Sequence, residues 1–590
     1  MRIATMATLR SGLAGVFLTC FACGTAGSCS SASNNQTGKP QQTTASADGT
    51  TSPAPAKAEF DVFVFGRTLG TIAPCGCTTE PLGGLQYAFG FLDQQSKPGA
   101  RLVVEPGSFL FPDPDGPDWP GSEEAEWGQA KKRATALHGS FSALGDALVS
   151  GLGPTDGVSP EGLAPLKEFP LPRVVANVTG EGLADVPKYR IVALEDHGLT
   201  LKVGVTAVVD PKAPGADKLG TVSDPVAAAS ETIKAMRDEG ATATIVLAQG
   251  VRSFAERIAH DATGADLVVV GLARGLERQR LGKAMTRSGN AYVLEPGEQL
   301  QTLTHLTLTV DASQSAVPMP NAWTVAPSAA QRRDELARIE EQIAELKANK
   351  DAEASFIKRL EAERDRVAKE LERGPEGAVV ATFEQAKITC KLPVDATAKT
   401  ELTEYNAWVA EGNKKRFAGV KAPPAPAGTA GYVGIEECET CHEEAVEFWK
   451  KTPHGSAYQT LVDTNQQFDL SCVSCHVTGF REPGGSEVVE NAGLIDVQCE
   501  VCHGPGSLHV DEPDRDGKAL NIRLDSPEDV VCAGCHTAEH SDTFDYDAYL
   551  RDIVGEGHGK ERRAKLGEGP TGSELRAAGL AKAGGSCKKM

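Results

Sequence analysis

The pentapeptide CxxCH occurs four times between residues 438 and 536, as CETCH (438–442), CVSCH (472–476), CEVCH (499–503) and CAGCH (532–536). Chance placement of 15 Cys and 12 His in 590 residues predicts about 0.008 copies. Paired disulfides or zinc knuckles do not require a histidine directly after the second cysteine every time. Two cysteines at this spacing can each add to one vinyl group of a haem, and the next histidine then faces the iron. The motifs therefore predict four covalently bound haem c groups. Their attachment residues are Cys438, Cys441, Cys472, Cys475, Cys499, Cys502, Cys532 and Cys535, and their proximal ligands His442, His476, His503 and His536. So little chain per haem leaves the cofactors to form much of the core, so loops with short helices are expected.

At 590 residues the chain is too long for one core, and at roughly 150 residues per domain it accommodates three or four units. The one long apolar run, residues 11–29, follows Arg2 and Arg10 and ends in small residues, the layout of a secretory signal. Cys23 and Cys29, more than Cys20, fit the acylated cysteine of a lipoprotein; an ordinary cleaved signal with incidental cysteines is the alternative. Residues 30–58 are rich in Ser, Thr, Gln and Pro and read as a disordered tether. An exported, periplasmic or cell-envelope location with a lipid anchor in the membrane follows. The net charge of −21 argues against nucleic-acid binding. Between residues 431 and 560 there are 26 acidic against 8 basic side chains. Such a surface either steers a basic redox partner protein or is simply solvated.

From residue 59 to about 310, short β-rich runs (DVFVFG, RLVVEP, RVVANV, LKVGVTAVV, TATIVLAQG, DLVVVG, AYVLEP, LTHLTLTV) alternate with helix-like segments, an α/β pattern. The runs from Arg173 onward resemble the calcineurin-like metallophosphoesterase fold of the 5'-nucleotidase type, which implies a sandwich with a two-metal site. The ligand turns depart from it. Where the family has GDxHG this chain has Gly66, Arg67, Thr68, Leu69 and Gly70; GNH corresponds to Gly145, Asp146 and Ala147, SH to Ala248 and Gln249, and GHxH to Gly271, Leu272, Ala273 and Arg274. None keeps its histidine, so the metal ligands read as lost. PCGC (74–77) followed by PLGGLQ (81–86) resembles a signature of exported 5'-nucleotidase-like proteins joined to multihaem modules. Cys75 and Cys77 could hold a metal, form a reducible disulfide or be buried thiols of a turn. His138, His197, His260 and His305 are scattered and read as surface or core residues.

Leu336, Ile339, Ile343 and Leu346, then Ile357, Leu360, Val367 and Leu371, follow heptad spacing. Lys350 and Glu353 fall at the seam, leaving an antiparallel hairpin and one long helix as competing readings, with oligomerisation through the coiled coil a further expectation. Residues 374–428 read as a mixed segment with Cys390 and a Pro-rich linker.

Histidines outside the motifs supply candidates for the sixth iron ligand: His454, His509, His540 and His558. The stretches CETCH with FWKKTPHGSAY, CVSCHVTGF, CEVCHGPGSLH and CAGCHTAEHS resemble the tetrahaem cytochrome c-554 family. On that resemblance His454 and His509 carry over as distal ligands, and one haem, that of His476, is expected to lack a protein sixth ligand.

These readings define a multidomain α+β chain: signal (1–29), tether (30–58), metallophosphoesterase-like α/β domain (59–312), coiled-coil helix or hairpin (328–373), mixed segment and linker (374–428), mostly-α and loop tetrahaem cytochrome module (429–560) and flexible tail (561–590). The resemblance implies an electron-transfer cytochrome more than a catalyst. A multihaem oxidoreductase of a small nitrogen compound and a phosphoesterase with atypical ligands are the alternatives.

Overall fold

The computed structural model describes residues 56–74, 78–97, 99–112, 124–272, 282–348, 353–511, 522, 529–537 and 540–585. The signal, almost all of the tether with Cys20, Cys23 and Cys29, and also Cys75, Cys77, Ala273, Arg274 and Lys350, lie outside the described residues. Among the described residues no helix is long and apolar enough to cross a membrane.

Two sheets face each other. The first has seven strands in the order Thr324–Pro327, Val379–Lys387, Thr302–Asp311, Lys57–Val64, Arg101–Glu105, Leu148–Gly151, Arg173–Val174. The second has six, Gly282–Ser288, Ala291–Pro296, Leu267–Val270, Ala243–Gln249, Leu199–Val209, Tyr189–Asp196. The central strands of each run parallel. Strands of that kind are covered on both faces and read as continuous apolar runs, as in ATIVLAQ, where every residue is buried.

Side chains alternate across the first sheet. Phe60 and Val64 join Leu102 and Val104 against Val203, Val205, Ile245 and Leu247 of the second sheet. Phe63 and Phe65 point the other way, to helices Leu85–Gln95, Glu124–Ser142 and Ala396–Arg416. The outer face of the second sheet carries Val246, Val268 and Val270 under helices Pro225–Asp238 and Arg252–Asp261. The result is a four-layer α/β/β/α body.

This body does not end near residue 312. Val379–Lys387 pairs along its whole length with Thr302–Asp311, and Ala396–Arg416 supplies Ala398, Tyr405 and Val409 to the core. The strand escaped sequence reading because only Val379 and Phe383 of VVATFEQAK are buried, which leaves no period-two apolar signal. Between the parallel strands Thr324–Pro327 and Val379–Lys387 the chain makes two helices, Ala329–Ala348 and Ala354–Arg373. They pack through Ile339, Ile343 and Val367, with Leu336, Ile357 and Leu360 against them. The heptad positions thus face one another within this crossover.

From residue 429 the architecture changes to short helices and loops, the longest helix before residue 560 being Tyr546–Ile553. The segment expected to be a flexible tail is instead helical over Lys560–Lys565 and Gly572–Lys582. A capping box, Thr571 with Glu574, starts the second of these. Without an apolar stripe, that short polar signal was the only cue available.

Candidate haem-binding site

The α/β body offers one place where strand ends converge. A β-carbon on Gly66 would collide with the Gly297 carbonyl and one on Gly151 with the Pro106 carbonyl, so these turns are closed onto their neighbours. Buried Arg67 donates to Glu298 at 2.6 Å. Glu105 accepts from the Ser150 hydroxyl (2.8 Å) and the Gly107 amide (3.0 Å). Asp156 accepts from the amides of Phe109 and Gly153, both at 2.9 Å. Gln249, in the SH position, donates to the Pro106 carbonyl. Burial, reinforced by the charge of Asp156, pushes Glu105 up to about 8. Gly145–Ala147 lies elsewhere: it precedes its strand, at the opposite end from Gly151, and exposed Asp146 pairs with Arg190. The match of that turn to GNH is therefore corrected, since only a turn at the C-terminal end of the strand could meet the others. Among the described residues no group of three His, Cys, Asp or Glu could hold a metal ion.

The scattered histidines serve structure. His305 is stacked on Phe63 and bonded to Asp61 at 2.8 Å, and hydrogen bonds to Asp61 and Glu384 outweigh burial to raise it to about 8. His138, His197 and His260 contact the Pro170 carbonyl, Asp196 and Asp261. Cys390 is disulfide-bonded, and none of the eight motif cysteines is in a disulfide.

Each CxxCH forms about one helical turn, which puts both thiols and the histidine on one side. The His442 and His536 amides donate to the carbonyls of Cys438 and Cys532 at 2.9 and 2.8 Å. The motifs meet in two couples, the Cys438 thiol interacting with that of Cys499 and the Cys475 thiol with that of Cys535. Glu500, 3% exposed, accepts from the amides of Val433, Gly434 and Gly506 and ties the first motif segment to the third.

Three imidazole pairs stand across from one another. His442 and His509 have ring centres 6.3 Å apart, His454 and His536 6.1 Å, and His503 and His558 6.4 Å. An ion held by two imidazole nitrogens at roughly 2 Å from each would set the ring centres about 6 Å apart. The Nδ1 of His509 is buried and has no hydrogen-bond partner, which leaves it available to a metal. His476 faces no imidazole among the described residues. Its Nδ1 lies 2.6 Å from the Ala457 carbonyl, which aims Nε2 away from the backbone. His540 forms no ring pair with a motif histidine, holds Thr537 Oγ1 at 2.8 Å and lies near enough to the second motif for its charge to act on His476 and Cys475.

Burial keeps four of these imidazoles neutral, the form that binds a metal. It lowers His454 to about 4, and it lowers His476, His536 and His558. Val462, Ile495, Val510 and Val530 are exposed, Val530 by 64%, apolar surface that a flat hydrophobic cofactor would cover. Thiols, facing imidazoles and bare apolar side chains together fit haem c.

Sequence reading missed three supporting residues. Ser541 Oγ lies 3.0 Å from His536 Nδ1. Asp469 caps the helix Leu470–Val473, which carries Cys472. The third is Glu500. Only Asp469 had a local signal, an Asp just before a short helix.

Solved structures similar to this chain include two nucleotidases, both with TM-scores below 0.5. A 5'-nucleotidase precursor from Thermus thermophilus is 16% identical, with 64% of this chain and 63% of that one covered and a TM-score of 0.39. The NAD nucleotidase of Haemophilus influenzae is 14% identical, over 69% and 68%, with a TM-score of 0.36. Likenesses of that size say nothing about chemistry. The cytochrome c-554 of Nitrosomonas europaea is 30% identical over 110 residues, 16% of this chain and 47% of that protein. The chain thus spans about half the length of that relative. Residues 437–504 match the family of cytochrome c554 and c-prime, so this segment is similar to c-type cytochromes, whose cofactor is covalently bound haem c.

Proposed function

We propose that residues 429–560 bind four haem c groups and that the protein is an exported, lipid-anchored electron carrier. The observation that carries this reading is the set of three facing imidazole pairs, each joining a CxxCH histidine to one outside its own motif. Cys438 and Cys441, Cys472 and Cys475, Cys499 and Cys502, and Cys532 and Cys535 make the thioethers. His442 with His509, His536 with His454, and His503 with His558 are the axial pairs, and His476 is a single proximal ligand. Haem c supplies reversible one-electron chemistry. The chain keeps His454, His476, His536 and His558 neutral by burial, fixes the rings of His476 and His536 through Ala457 and Ser541, and brings the motifs together in couples. Exposed Glu436, Glu437, Glu443 and Glu444 flank the first motif and favour a basic redox partner. A pyridine haemochrome assay with the mass of the exported protein tests the reading: four haems per chain are expected, and fewer would overturn it.

A second reading, reduction or oxidation of a small nitrogen compound at an open iron, is favoured by His476 facing no second imidazole. High-spin iron in one of the four haems, and its conversion by nitric oxide or carbon monoxide, is the expected sign. Wholly low-spin iron in both redox states would dismiss it. Hydrolysis of phosphoesters has no comparable support, since the strand ends of the α/β body are closed by Arg67, Glu298, Asp156 and Gln249.

A further inference from the structure

We propose that the α/β body is a clamp on the second and fourth haem-binding segments, and that it sets the potentials of this couple while leaving the first and third to the module itself. The inference rests on the four-haem reading above. Beside an ion pair of Arg481 with Glu126 and the apolar packing of Phe417 on Leu470 and Val473, the grip has two hydrogen-bonded points next to the motifs. At the first, Asp469, 6% exposed, caps the helix bearing Cys472 and accepts from Gln129 Nε2 of helix Glu124–Ser142 at 2.6 Å. Asn413, near the end of helix Ala396–Arg416, donates to the Phe468 carbonyl at 2.8 Å and to Gln129 Oε1 at 3.2 Å. Arg133 donates to Ser471 Oγ at 3.1 Å. Gln129 and Asn413 are themselves buried, so these bonds are formed away from water, where leaving either partner unpaired is costly.

At the second point, Thr79 donates through its amide (2.9 Å) and its hydroxyl (2.6 Å) to the carboxylate of Asp542. The preceding residue, Ser541, holds the His536 ring by Nδ1 at 3.0 Å. One end of the body thus reaches the segment of His476 and another the segment of His536, the two motifs whose cysteines Cys475 and Cys535 meet. The bonds that join the first and third motifs run through Glu500, inside the module. A body that shows no metal site among its described residues thus serves as the fixed wall against which one haem couple is seated. Residues that orient an iron ligand from outside tune its potential.

The test is a potentiometric titration of the full, haem-loaded protein, followed by the paramagnetic resonance of the ferric haems, with haem counted in every sample. Gln129→Leu with Asn413→Leu should change the signal and potential of the haem on His476, or release that haem alone. Thr79→Val should change the haem on His536. Asp469→Asn keeps the cap and the shape but removes a buried negative charge, so it should raise the potential of the His476 haem. The expected size is on the order of a tenfold change in its oxidised-to-reduced ratio, about 59 mV for one electron. Four unchanged potentials, or four that move together, would overturn the clamp. Fewer than four haems in the unaltered protein would instead overturn the reading on which it rests.

Discussion

Burial penalises a charged side chain whichever sign it carries, and in this protein the same effect prepares one set of residues for metal binding and disables another. The imidazole of His454 is pulled down to about 4 and those of His476, His536 and His558 are lowered, so a neutral nitrogen is offered to iron at neutral pH. Glu105 moves the other way, up to about 8, and at neutral pH stands as a protonated acid against Ser150 and Gly107. A group that is neutral and already hydrogen-bonded is a poor ligand for a paired cation. The consequence for stability has a definite sign. The folded chain keeps a proton that the unfolded chain releases above about 4.5, so this residue's contribution falls as pH rises from there to about 8. Glu105→Gln removes that titration. The variant should gain stability relative to the parent across this window, reaching a few kcal/mol near pH 8, on the order implied by the shift. Thermal midpoints of both proteins at pH 5 and pH 8 check it, and parallel declines would show that Glu105 is already ionised in the fold.

At the scale of elements, the haem segments are held less by helices than by the carboxylates between them. Glu500 serves the Val433, Gly434 and Gly506 amides at once. Its replacement by Leu leaves three buried donors unpaired, each costing about 1–3 kcal/mol. The expected result is a lower thermal midpoint and disturbance of the first and third haems with the other two spared, read by the resonance of each ferric haem. If all four haems respond alike, Glu500 is not local to that couple. The sequence made the CxxCH motifs plain because covalent attachment demands fixed spacing. It also made the strands plain where both faces are buried, as in ATIVLAQ and LVVV. Glu500 gave no such signal, since a buried acid inside CEVCH looks like one more charge in an acidic segment, and its partners lie six and some sixty-six residues away. Val379–Lys387 was hidden for a related reason: its place in the first sheet depends on the partner Thr302–Asp311, beyond the intervening helical pair. The pairing of His503 with His558 spans a similar distance and could be counted as available in sequence, but not assigned.

For the whole molecule, the two halves differ in what keeps them folded. The α/β body has three clusters of buried apolar residues, with large side chains such as Phe63, Phe109 and Phe141 fully enclosed. The module after residue 429 buries few, among them Val446, Val473, Val477 and Val488, and leaves Ile495 and Val530 exposed. Apolar burial contributes about 25 cal/mol per Å², so a segment this poor in it cannot offset the entropy of ordering its chain by packing alone. On the four-haem reading, covalent haem supplies the missing apolar surface, and iron ligation adds bonds between distant segments. Replacing the eight motif cysteines by serine should therefore unfold the module without unfolding the body. Limited proteolysis of that full-length variant is expected to leave a resistant fragment from about residue 56 to about residue 417, while the haem-loaded parent is protected through residue 560. The contacts between the halves make the outcome informative, because beyond the hydrogen bonds of Asp469 and Asp542 they share only a small apolar cluster around Phe417, Leu470 and Val473. Equal protection of the module with and without its cysteines would mean that the polypeptide is self-sufficient there, and that the facing imidazoles are set by the chain before any iron arrives.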